Sequence, residues 1–306
     1  MSKLSGFLTS MLLLIVIIQM APTLVKNFKD IYDDAFELKA KVGVIKITDE
    51  ISQIGTYIKN LRNFFEKDDI KAILLRIDCP GGASGSSQAL YNEILELKKE
   101  YPKPIITLTN DLCASGGYYI ACASDYIIAS PASIIGSIGV YLSSFKIKEL
   151  IESWKIKCNI VQAGKYKTAF NPFTENSKEV NDLMQSVAND VYAQFINDVA
   201  TRRKLSIDQA EKWANGKFFT GKKALELGLV DENGSESNAI KKIKELAMIE
   251  KDKKIDWVKS KKQSKLSKLI GIEEDDEESK SQISLVDKFV EKICAKIGIN
   301  NSTIKI

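Results

Sequence analysis

The sequence predicts an α/β protein built on a mainly parallel sheet. Three observations carry this: short β-rich runs alternate with helical ones from about Lys41 to Glu250, runs such as Ala72 to Ile77 are apolar but for Arg76, and hydrophobic and charged residues make up 44% and 27% of the 306 residues. Continuous apolar runs suit strands covered on both faces, and that composition belongs to a folded globular chain.

Taken in order, residues 4–25 hold no charge, and Phe7 to Ala21 is almost wholly apolar. As a helix, 22 residues reach about 33 Å, enough to cross a hydrocarbon core of about 30 Å. Gln19-Met20-Ala21-Pro22 is a poor small-x-small cleavage site, so an uncleaved anchor over residues 1–26 is expected rather than a removed signal peptide. Val42 to Ile47 reads as a strand, Ile51 to Phe65 as a helix, Ala72 to Ile77 as a buried strand and Ser86 to Glu100 as an amphipathic helix. Strands are then expected at Pro104 to Thr109, Tyr126 to Ala129 and Ile160 to Gln162, with helices at Gly116 to Ala123 and Ser177 to Arg203. The expected domain occupies residues 40–250. From Lys251 to Lys268 there are eight lysines against two aspartates, and Glu273 to Glu278 are consecutive acids, so residues 251–306 read as a charged linker. It ends in an amphipathic helix carrying Ile283, Leu285, Val286, Phe289, Val290, Ile293 and Ile297.

Composition narrows the chemistry. A net charge of +4 is too small to argue for nucleic-acid binding. Histidine is absent, which excludes a Ser/His/Asp triad, a Cys/His dyad and a histidine-ligated metal. Five cysteines, none in C-x-x-C spacing, suggest buried thiols rather than disulfides or a zinc ribbon. No metal or cofactor is expected. Gly216 to Lys223 nearly matches a phosphate-binding loop but ends in Lys223, where Ser or Thr is needed.

Two glycine-bearing turns follow expected strands: Asp78-Cys79-Pro80-Gly81-Gly82 and Cys113-Ala114-Ser115-Gly116-Gly117. Paired glycines let backbone N–H groups approach a ligand closely, and a serine at the mouth of a helix is placed for nucleophilic attack. Without histidine its base has to be Lys, Asp or Glu, and a lysine serves if burial lowers its pKa from about 10.4 toward 7 or 8. Lys165 and Lys167, among small and aromatic neighbours, are both candidates, and spacing does not choose between them.

Five segments together resemble the signal peptide peptidase A family, membrane-bound serine peptidases of the Clp protease/crotonase fold. They are Asp78 to Gly82, Ser115 to Tyr119, Gly136 to Val140, Gly164-x-x-Lys167 ahead of Pro172, and Gly221 to Asp231, spread over Val42 to Asp231. The resemblance implies repeated ββα units and a Ser/Lys dyad. Ser115 would be the nucleophile and Lys167 the general base, with Ser137 orienting the lysine and Gly82 and Gly116 donating to the oxyanion. It further implies hydrophobic peptides as substrates, a homo-oligomer with sites at protomer boundaries, and a single-pass anchor in the cell inner membrane with the catalytic domain outside the cytoplasm. Cys79 departs from the serine common in the family and is expected to reshape the substrate groove. The rival functions are a crotonase-like acyl-CoA enzyme and an inactive membrane scaffold, and the relative known as SohB shares the same motifs.

Overall fold

The computed structural model describes residues 19–23 and 39–260. The chain divides into two compact units, residues 1–40 with 252–256 and residues 41–251 with 257–306. Of the expected anchor, only the helical residues 19–23 are described, and the remainder, like the expected terminal helix, lies outside the described residues. Among the described residues no helix is long and apolar enough to cross a membrane.

The elements run β1 (Ala40–Ile47), α1 (Gly55–Glu66), β2 (Ile70–Ile77), α2 (Ser84–Glu100), β3 (Ile105–Thr109), β4 (Leu112–Ala114), α3 (Gly116–Ala121), β5 (Tyr126–Ala129) and β6 (Ile134–Gly136). Then follow α4 (Lys148–Ser153), α5 (Lys178–Arg203), a 3₁₀ turn (Ile207–Gln209), α6 (Ala210–Trp213), β7 (Phe218–Thr220), α7 (Gly221–Glu226), β8 (Glu232–Asn233), α8 (Glu236–Leu246) and β9 (Ile255–Lys259). Six strands form one sheet in the order β8-β5-β3-β2-β1-β9, and β4-β6-β7 form a second.

β1, β2, β3, β5 and β8 pair in parallel along the large sheet, the α/β arrangement that the alternation of runs predicts. Parallel strands need covered faces, and β2 and β3 supply the sequence for it: Ala72, Ile73, Leu74 and Leu75 are buried in succession, as is all of Ile105–Thr109. In α2, Leu90, Tyr91, Ile94 and Leu97 recur at helical spacing and join the main core. Burying side chains of this size contributes about 1.5–3 kcal/mol each.

Three expectations are corrected. Ile160 to Gln162 is not a strand; among the described residues it joins neither sheet, and Val161 is 93% exposed. The helix after β1 starts at Gly55 rather than Ile51, since Ile51 is used in a bridge to Gly82. The lysine-rich stretch is not all linker: Ile255–Lys259 forms β9 on the sheet, with Ile255 and Trp257 half-buried and Asp256 and Lys259 exposed, an alternation that the charge count hides.

Candidate active site

The turn after β2 is tied on both sides. The Asp78 carboxylate accepts the backbone N–H groups of Asp111 (2.9 Å) and Asn110 (3.1 Å), linking it to the turn after β3. Cys79 N–H donates to the Leu112 carbonyl at 2.7 Å and the Cys79 carbonyl accepts from Ala114 at 3.1 Å, so Cys79 lies against Cys113 in a parallel bridge. The Cys79 thiol is buried, with Asp49 O at 3.1 Å and the Gly81 N–H donating to it at 3.3 Å. Contrary to the expectation that it reshapes the groove, it props the turn from inside. Beyond it, Ile51 donates to Gly81 O (2.8 Å) and accepts from Ala83 N–H (2.7 Å). That close approach requires glycine at 82, where φ is +153° and a Cβ would fall 2.2 Å from Ile51 O.

β4 delivers the second turn. Ser115 has φ 52° and ψ −124°, a conformation that costs an L-residue about 1–3 kcal/mol and persists only where its surroundings impose it. Here they do: Ser115 N–H donates to Gly136 O at 2.7 Å and Ser115 O accepts from Tyr119 at 2.9 Å. A Cβ at Gly81 would lie 2.7 Å from Ser115 Cβ and 2.9 Å from the Gly116 nitrogen, and one at Gly116 would lie 3.4 Å from the Gly82 nitrogen. The two turns therefore meet, and Ser115, Gly82 and Gly116 line one cleft. Neither the Gly82 nor the Gly116 N–H has an acceptor among the described residues. A half-buried hydroxyl beside two unpaired amide donors is an arrangement suited to acyl transfer, the donors meeting charge that develops on a carbonyl oxygen.

The remaining expected residues lie elsewhere. Ser137 is half-buried with φ 51° and donates its N–H to Lys217 O at 2.7 Å, next to the Gly136 that holds Ser115. Lys165 is engaged, its ammonium 2.5 Å from Glu179. Lys167 is exposed, contributes nothing to the lining of the cleft, and its ammonium makes no hydrogen bond or ion pair among the described residues. The burial expected of a lysine base is thus absent within the single chain. Among the described residues no group of metal-ligating side chains forms.

Sequence reasoning also missed a set of contacts that lies outside the lining of the cleft. Arg203 makes a bidentate pair with Asp231, both bonds 2.9 Å, and donates to Gly228 O at 2.9 Å. Asp231 in turn accepts from Ile127 N–H at 2.7 Å, fastening the end of α5 to β5. Burial pulls the Arg203 guanidinium down, and the hydrogen bond to Asp231 together with the charge interactions with Tyr118, Asp231 and Cys122 more than offsets it. The buried Tyr118 hydroxyl donates to Leu229 O at 2.7 Å. An arginine closing a long helix and an acid closing the Gly221 to Asp231 segment were the available signals.

The profile described as Peptidase family S49 matches residues 97–250. A protease-named protein of Methanocaldococcus jannaschii is 39% identical over 194 residues, 63% of this chain and 62% of that protein. A protease-named protein of Synechocystis is 34% identical over 218 residues, covering 70% of this chain and 77% of that protein. The chloroplastic serine protease SPPA of Arabidopsis thaliana is 34% identical over 202 residues, 66% of this chain but 30% of that protein. The chain therefore spans less than two thirds of the first and third of these relatives.

Proposed function

The chain belongs to peptidase family S49 and is a serine peptidase, and from that premise we propose that it is a membrane-anchored endopeptidase that degrades released signal peptides and similar hydrophobic peptides through a Ser115/Lys167 dyad. The fold in this reading is the repeated ββα framework of the Clp protease and crotonase folds, carried on a single-pass N-terminal anchor with the catalytic domain outside the cytoplasm. The observation that carries it is Ser115, held at a positive φ beside the unpaired N–H groups of Gly82 and Gly116.

In the proposed reaction Ser115 Oγ attacks the peptide carbonyl while Lys167 Nζ takes its proton, and the Gly82 and Gly116 N–H groups hold the oxyanion. Collapse breaks the C–N bond, and the departing amine takes the proton back from Lys167. Water, deprotonated by Lys167 Nζ, then attacks the acyl-enzyme, and as the ester C–O bond breaks Lys167 returns the proton to Ser115 Oγ. Ser137 orients the lysine. Lys167 is supplied at a boundary between copies: it rides on an arm, residues 141–176, that exposes Tyr141, Phe145, Trp154 and Val161, an apolar surface suited to burial against a second copy.

The test is hydrolysis of a signal-peptide-like fluorogenic substrate by the detergent-solubilised protein between about pH 6 and 10. Ser115→Ala and Lys167→Ala are expected to lose activity and Lys165→Ala to keep it, with wild-type activity rising as the base is deprotonated. If wild type cleaves nothing, or Ser115→Ala is as active, the dyad is wrong and an acyl-CoA or scaffold role replaces it.

A further inference from the structure

The cleft at Ser115 also bears on which peptide bond is cut. Besides Ser115, Gly82 and Gly116, its lining includes Ser87, Tyr119, Val140, Val191 and Phe195. A pocket touching both a nucleophile and its oxyanion donors receives the side chain of the residue whose carbonyl is attacked, because that side chain branches from the atom next to the carbonyl. The free space there is about 20 Å³, room for about one water molecule. A methyl group fits it, whereas an isobutyl or benzyl group does not. The largely apolar lining also opposes charge, since an ionised side chain would lose its water without gaining a partner.

The walls are held rather than loose. Tyr119 stacks on Phe195 with centroids 4.3 Å apart and planes 14° from parallel, and Tyr91 lies 5.0 Å away on another side. The Tyr119 hydroxyl donates to Asp198 on α5 and accepts from Gln88 Nε2 at 3.2 Å. Tyr119 and Phe195 are both buried, so neither clears the pocket by a free rotamer change in a close-packed setting.

We infer that the substrates are apolar peptides carrying a small residue, Ala, Gly or Ser, on the acyl side of the scissile bond, and that Tyr119 and Phe195 set this size limit. The inference rests on the serine-peptidase reading of the same site. Three fluorogenic peptides identical except for Ala, Leu or Phe at that position test it. The Ala peptide is expected to exceed the others in kcat/KM by at least about tenfold, and Phe195→Ala is expected to shift the preference toward Leu. Val191→Ala, at a half-buried position, widens the pocket with a smaller packing loss and carries the test if Phe195→Ala does not fold. Cleavage of the Leu or Phe peptide as fast as the Ala peptide, with loss in Ser115→Ala, overturns the size limit and leaves the peptidase reading standing. No cleavage of any peptide, together with no labelling of Ser115 by a fluorophosphonate, overturns the peptidase reading itself and the inference with it.

Discussion

Cys79, Cys113 and Cys122 are buried near the turns that carry Ser115, and burial raises the pKa of each thiol, that of Cys122 being pushed up to about 12. The nucleophilic form of cysteine is the thiolate, so these three are inert at neutral pH, while Cys158 is exposed. The expectation of buried free thiols holds for these three and not for Cys158, and Cys294 lies outside the described residues. A folded-state pKa above the unfolded value of 9.0 for Cys122 means that the native state retains a proton the unfolded chain gives up. Its contribution to stability is complete below about pH 9 and is lost as pH rises toward about 12. The urea midpoint of the wild type is therefore expected to fall between about pH 8 and 10.5, with a shallower fall in Cys122→Ala. An equal slope in the two proteins would remove Cys122 from the account.

The elements differ in what anchors them. The second half of α5 buries Phe195, Val199 and Ala200, while its first half buries no residue; the helix starts on a Ser177 cap that accepts from Val180 N–H at 3.3 Å and ends in the Arg203–Asp231 clamp. Arg203→Met is expected to cost about 3–5 kcal/mol by leaving Asp231 partly buried without its partner, and Arg203→Met with Asp231→Asn to recover part of it, as read by urea unfolding. The elements legible in the sequence were those with a clear period or a long apolar run: β1, β2, β3, β5, α2 and α5. The three-residue strands β4, β6 and β7 were not legible, because three residues show no period and these form only by pairing with one another. Ile160 to Gln162 misled for the converse reason, being β-prone but unpartnered. In the candidate site, the meeting of the two glycine-bearing turns at Ser115 was legible because glycine pairs mark close backbone approach, whereas the oxyanion roles of Gly82 and Gly116 came from the family resemblance. Ser87, Val191 and Phe195 were not legible, since they reach the cleft from α2 and α5 through tertiary packing alone.

At the scale of the whole molecule, the arm and the first half of α5 present apolar side chains left exposed among the described residues, with Phe145 at 86% and Trp154 at 68% exposure. If each site joins Ser115 of one copy to Lys167 of the next, mixing inactive Ser115→Ala and Lys167→Ala proteins and letting the copies exchange should restore about a quarter of the wild-type sites. A mixture as inactive as its components would locate both residues in one chain. The positive φ at Ser115 has a consequence that reaches past catalysis into the history of such a protein. Glycine is at home in that conformation and serine is not, so Ser115→Gly removes the proposed nucleophile while relieving backbone strain. Losing the activity is then a step that folding does not oppose, and a lineage released from selection for peptide cleavage would drift toward inert, well-folded descendants rather than toward unstable ones.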